Sequence, residues 1–283
     1  MATATPREIL RVPTQSERVA VRDITPAQAQ ELLKLNTNNR QLKTRHAEVL
    51  ADDMRAGRFR FNGDPIRFNG STLLDGQHRL YACVLSGIPF RAVVVFDLDD
   101  TDCMATLDGG RKRTLADRLH LRGEKYAGRL SSILTSHYLL TAKNYSNRAT
   151  QLSSGALIQW LDQHPGLREA AEWWVANEKA MRAIGAGYSV VAAMWHEATL
   201  LSVQSRDEFF ELLASGVGLS DDSPVLLLRN RLIANASART KMTARDIVAI
   251  CIKAWNLYRV GAGCKVLRWT RDGRGSEDWP VME

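Results

Sequence analysis

The stretch Leu73-Leu74-Asp75-Gly76-Gln77-His78-Arg79-Leu80-Tyr81-Ala82 constrains this chain more than any other, because an apolar strand end passes through an acid-glycine turn straight into a helical pattern. A backbone that turns from strand to helix so abruptly needs a corner residue without a Cβ, and Gly76 supplies it. The first N–H groups of a helix have no intrahelical acceptor, and the helix dipole places partial positive charge there, so this corner suits an anion such as phosphate. Arg79 adds a forked set of donors in the first turn.

The surrounding pattern is that of a compact α+β unit. Thr25-Pro26 offers an N-cap followed by proline at the first helical position, and Ala29, Leu32 and Leu33 form an apolar stripe that predicts a helix to about Asn36. After a polar loop at 37–40, Ala47, Leu50, Ala51 and Met54 recur at helical spacing with Gly57 as a stop signal. The opposite face, with Arg45, His46, Glu48, Asp52 and Arg55, has the mixed charge of a solvated surface. Pro65 to Phe68, the Asn69-Gly70 pair and Thr72 to Leu74 predict a hairpin. The helix opened by Gly76 runs to Gly87, and Phe90 to Phe96 is the near-continuous apolar run of a buried strand.

Beyond Lys125 the character changes to long helical patterns, with Ser153, Ser205 and Thr243 as expected N-caps, so residues 125–283 are expected to form a helical domain. Trp160, Trp173, Trp174, Trp195 and Trp255 fall within those patterns, where aromatic rings fill cores. At 283 residues and 45% hydrophobic content the chain can support two cores. The expected division is a mobile arm at 1–18, a first domain with its extension at 19–124, and the helical domain with a short strand-like tail. In that tail Lys265 to Arg271 alternates apolar and basic residues, as an edge strand would; its cations serve either to touch a nucleic-acid backbone or to keep the edge from pairing.

Lys and Arg outnumber Asp and Glu 38 to 31, a net charge of +7 that favours acidic partners such as nucleic acid. Cys83, Cys103, Cys251 and Cys264 form no CxxC pair, which speaks against a disulfide framework or a cysteine zinc site and fits a reducing cytosol. The longest apolar runs are broken by charge before membrane-spanning length, so a cytoplasmic protein with no membrane partner is expected.

The order of helix, Arg-bearing loop, helix, hairpin, glycine corner, helix and apolar strand resembles the ParB and sulfiredoxin superfamily. The resemblance spans residues 19–98 and is carried by Asn39-Arg40-Gln41, by Arg45 to Met54 and by Leu74 to Ala82. Its DGQHR form is similar to ParB-like proteins of phages and mobile elements. The resemblance implies a ParB/sulfiredoxin-like N-terminal fold in which Gly76, Gln77, His78 and Arg79 contact nucleotide or DNA phosphate and Arg40 completes the pocket. Sulfiredoxins carry a cysteine just before the His-Arg pair; Gln77 stands there, so peroxiredoxin repair is excluded for want of a thiolate. Partition ParB proteins add a helix-turn-helix module, and no recognition helix is legible in residues 125–260. Chromosome partition is therefore not expected; the leading expectation is a protein that binds DNA, a nucleotide or both through the DGQHR turn, with a homodimer through the helical half. The alternative is an enzyme, a nucleotide-dependent phosphotransferase, NTPase or nuclease, with Asp75 and His78 as acid-base groups and a nucleoside triphosphate with Mg2+ as cofactor.

A second cluster, Leu107 to Thr114, places an acid and two glycines before Arg111, Lys112 and Arg113, with Thr114 expected to cap a helix at Leu115 to Leu121. Cations at a helix N-terminus oppose its dipole, so they serve either to bind phosphate or as a solvated linker. Asp97, Asp99, Asp100 and Asp102 follow the last strand and serve either as helix caps or as magnesium ligands, while Asp75 and Asp108 neighbour the phosphate candidates more closely. His196-Glu197-Ala198-Thr199-Leu200 lacks the second histidine of HExxH, so this helix alone cannot offer two zinc ligands and no metal ligand is expected.

Overall fold

The structure, a computed structural model, describes residues 4–11, 18–37, 39, 41–98, 113–141, 152–270 and 275–283. It divides into two compact units, Met1–Lys112 and Arg113–Glu283. Twelve helices and one four-stranded sheet among the described residues make the fold α+β, as expected.

The first unit contains β1 (Val19–Ile24), α2 (Pro26–Leu33), α3 (Thr44–Arg55), β2 (Pro65–Asn69), β3 (Thr72–Asp75), α4 (Gln77–Ser86) and β4 (Phe90–Val95), preceded by α1 (Pro6–Ile9). The sheet order is β1-β4-β2-β3, antiparallel at both outer pairs and parallel between β4 and β2. Alternate residues of each strand, Ala20 and Ile24, Ile66 and Phe68, Ala92 and Val94, turn inward onto Leu32, Met54 and Leu80 of the helices. The hairpin carries a register shift between Arg67 and Phe68: Phe68 faces Leu73, but Arg67 faces Asp75. Leu74 is the extra residue of a bulge, so Leu73 and Leu74 are both buried and Asp75 is re-aimed at Arg67.

Part of the segment expected to be a mobile arm is ordered. Thr5 and Glu8 form a capping box around Pro6, and one helical turn follows. Arg7 pairs with Asp97 at 2.6 Å and lies over the Phe96 ring, Gln28 donates to the Ile9 carbonyl at 3.1 Å, and Leu10 is buried. The polar composition concealed one anchor residue. Leu10→Ala is expected to cost about 2 kcal/mol, at the low end for a buried leucine because the segment is terminal; proteolysis at 4–11 that is no faster than in the native chain would refute this docking.

The second unit is helical: α5 (Leu115–Leu121), α6 (Ala127–Thr141), α7 (Ser154–Gln163), α8 (Leu167–Ala183), α9 (Tyr188–Leu201), α10 (Val203–Ser215), α11 (Pro224–Ser237) and α12 (Ala244–Arg259). Residues 113–124, expected with the first domain, belong here, because Leu119 is fully buried in this unit's core. Val190 to Trp195 of α9 are all buried, as befits a central helix packed on α6, α8, α10 and α12. Trp174 and Trp255 fill the core completely. Ser153 and Thr243 cap α7 and α12 as expected, but α10 is capped by Ser202, whose hydroxyl accepts from the Ser205 amide at 3.2 Å. The tail at 262–270 is irregular rather than a strand. No strand is found among the described residues of this unit to pair with it, and Lys253 of α12 holds it instead through the Arg268 carbonyl, while Asn256 holds the Val281 carbonyl near residue 283, both at 2.7 Å.

Candidate functional site

Gly76 stands at the N-cap of α4 with φ of +105°, a conformation that L-residues with a Cβ avoid. A Cβ there would also run into the Ile66 side chain of β2, so the corner is closed against any other residue by its backbone and by its packing. The Gly76 carbonyl accepts from both the Arg79 and Leu80 amides at 3.0 Å, which starts the helix directly at the turn.

The side chains of the corner face three directions. The guanidinium of Arg79 donates to the Asp64 carbonyl at 2.5 Å and to the Pro65 carbonyl at 2.7 Å, and reaches the Asp75 carboxylate at 3.4 Å. Asp75 accepts a shorter bond, 2.6 Å, from Arg67 across the hairpin. Arg79 thus ties α4 to the start of β2, while Asp75 sits between two guanidinium groups. Gln77 and His78 turn inward and are buried. Gln77 accepts from Asn36 at 3.1 Å, and Asn39 donates to Asn36 and to the Leu73 carbonyl, each at 2.6 Å. His78 Nε2 accepts from the Lys43 amide at 3.1 Å, which places the ring proton on Nδ1, and its ring meets that of His46 edge-on at 5.1 Å.

Lys43 is the N-cap of α3, and it makes no side-chain capping bond. The bond from its amide to His78 therefore joins the N-terminus of α3 to the N-terminus of α4. The His78 imidazole spans the two positive helix ends, and Lys43 and Arg45 bring cations to the start of α3, where Glu48 lies 3.4 Å from Arg45. The chain on either side of Arg40 is anchored here, by Asn39 before it and Lys43 after it; Arg40 itself lies outside the described residues.

Of the remaining expected site residues, Arg111 and Lys112 also lie outside the described residues, as do Asp99, Asp100, Asp102 and Asp108. Arg113 is exposed and precedes the N-cap of α5, where Thr114 and Asp117 form a capping box as anticipated. That box already uses the amides of Thr114 and Asp117 and brings a carboxylate to the helix end, which leaves less for an incoming anion. Asp97 is taken up by Arg7.

Sequence reasoning missed Asn36, Lys43, His46 and Arg67 as parts of this site. Arg67 was concealed by the bulge, since a hairpin closed regularly at Asn69-Gly70 sets Arg67 opposite Leu74. Lys43 acts through its backbone amide, which leaves no trace in residue type. Comparison with protein-family models, with curated proteins and with solved structures finds no match to this chain. Among the described residues no helix is long and apolar enough to cross a membrane.

Proposed function

We propose that the first unit is a ParB-like phosphate-binding module that holds nucleic acid, or a nucleotide, at the junction of α3 and α4. The reading rests on one observation: the Lys43 amide bonded to His78 Nε2, which brings two helix N-termini together at a glycine corner. Anions favour a single such end, and two ends with Lys43 and Arg45 beside them strengthen the preference. In this reading Gln77 and His78 are positioning residues that hold Asn36 and the Lys43 amide beside the start of α4. Arg79 and Arg67 hold the corner through Asp75 and the Asp64 and Pro65 carbonyls. The two guanidinium contacts on Asp75 and the amide on His78 Nε2 give both proposed acid-base groups structural work, which favours binding over catalysis.

The test is fluorescence anisotropy of a labelled short duplex between 50 and 200 mM salt, with thermal shift against ATP, CTP and GTP with and without Mg2+. A contact of about four phosphates predicts a loss of affinity on the order of 100-fold over that salt range, and Arg40→Ala and Arg45→Ala should each lower the salt slope by about one. Nucleotide binding would appear as a rise in Tm that the same variants reduce. No interaction with duplex or nucleotide at the lowest salt would overturn the reading.

A further inference from the structure

In the helical unit, four ring systems and a carboxylate from three segments of chain converge. His137 of α6 is completely buried; His196 and Glu197 are adjacent on α9; Trp160 and His164 come from the end of α7. His137 Nε2 and a Glu197 carboxylate oxygen are 2.6 Å apart, and Trp160 Nε1 donates to His137 Nδ1 at 2.8 Å. The indole has only a hydrogen to give, so His137 Nδ1 is the bare nitrogen and Nε2 carries the proton that Glu197 accepts. The His196 ring lies 5.1 Å from that of His137, and its Nε2 is buried without a hydrogen-bond partner. One ring nitrogen from each of His137 and His196 and one Glu197 oxygen all lie within 4.8 Å of one another.

We propose that His137, His196 and Glu197 form a binding site for a divalent transition ion of the zinc class. Two imidazoles and a carboxylate are a donor set that zinc accepts in tetrahedral sites with one position left to water. The buried, unpartnered Nε2 of His196 is a second sign, because a polar atom in that state lacks the partner that buried groups almost always have. A Cβ at position 166 would come within 2.8 Å of His196 Cε1, so Gly166 leaves the imidazole the space it occupies.

His164 stands just outside the set with its Nδ1 2.9 Å from the Trp160 carbonyl, which fixes its tautomer and stacks its ring on the indole at 4.2 Å. An ion taken by His137 Nε2 displaces the proton there; the proton moves to Nδ1 of the same ring, the Trp160 bond opens, and the ring stays neutral. Two hydrogen bonds, Trp160 to His137 and His137 to Glu197, are thus exchanged for three metal–ligand bonds. Tetrahedral zinc ligands lie about 3.3 Å apart, so the 2.6 Å contact between His137 Nε2 and Glu197 must open slightly, and the partly exposed Glu197 side chain provides the way in.

The site is independent of the phosphate reading, and its test is separate. The full chain, purified without a histidine tag and stripped with chelator, is titrated with Co2+ while visible absorption is followed, then with Zn2+ in competition. One equivalent per chain with the bands of four-coordinate cobalt is expected, with a change in tryptophan emission as the Trp160 bond opens. His196→Leu and Glu197→Gln should each weaken uptake at least about 100-fold, more than the loss of an outer partner does, while His120→Ala, at an exposed histidine outside the cluster, leaves it unchanged. Glu197→Gln keeps an oxygen for His137 and so remains informative if His196→Leu fails to fold. No stoichiometric uptake by the folded native chain, or uptake unaltered in both variants, would overturn the proposal.

Discussion

Gly76→Ala is expected to lower the stability of the first unit by about 3 kcal/mol, the sum of two effects that act at the same Cβ. The first is conformational: at φ of +105° an alanine is held outside the regions open to it, a cost of about 1–3 kcal/mol. The second is steric: the new methyl overlaps Ile66, whose Cδ1 is its nearest neighbour, and overpacking of this kind costs about 1–3 kcal/mol. The two separate experimentally. Gly87 has φ of +72° at the other end of α4 and nothing within 4 Å of its own missing Cβ, so Gly87→Ala should show only a conformational cost, about 1 kcal/mol. Ile66→Val removes the colliding atom and should recover about 1 kcal/mol in the Gly76→Ala background. The composition gives a clean readout, because all seven tryptophans lie between residues 160 and 279, in the other unit. A urea transition that moves in far-ultraviolet circular dichroism but not in tryptophan fluorescence belongs to the first unit. Equal losses for Gly76→Ala and Gly87→Ala would show that the corner is not closed by Ile66.

The same corner shows what a sequence reveals and what it conceals. Elements set by local chemistry were legible: Thr25-Pro26 at the start of α2, Asn69-Gly70 in the hairpin, Gly76 and Gly87 bounding α4, and the apolar run of β4. Each depends on a few adjacent residues whose backbone preferences point one way. The division into a mixed first unit and a helical second was legible for the same reason. What escaped notice was set by partners distant in the chain. The bulge at Leu74 that turns Asp75 toward Arg67 follows from cross-strand pairing, and the docking of α1 follows from Asp97, Phe96 and Gln28. The strand-like alternation at 265–271 misled because alternation gives a strand only where another strand is present to pair with it. His196-Glu197 was set aside because HExxH demands its second histidine four residues on, whereas His137 arrives from α6, 60 residues from Glu197. A template defined by spacing along one helix has no means of finding side chains gathered from two.

That gathering makes His137 a position where one substitution leaves two groups stranded. In chelator-treated protein, His137→Leu is expected to cost about 3 kcal/mol in the helical unit, because it removes the donor to the Glu197 carboxylate and the acceptor of the Trp160 N–H together. Glu197 keeps some solvent, with 21% of its side chain exposed, so the loss stays at the lower end of the 3–5 kcal/mol range for breaking a buried pair. The sign of the double variant decides the cause. If the cost comes from an abandoned carboxylate rather than from lost packing, His137→Leu with Glu197→Leu should be more stable than His137→Leu alone by about 1–2 kcal/mol, since apolar replacement of both partners is close to neutral. Trp160→Phe added to His137→Leu should recover a smaller amount, because an indole N–H carries no net charge. Tryptophan fluorescence in urea follows this unit, and a double variant no more stable than His137→Leu would mean that the cluster is held by ring packing alone, with Glu197 a bystander.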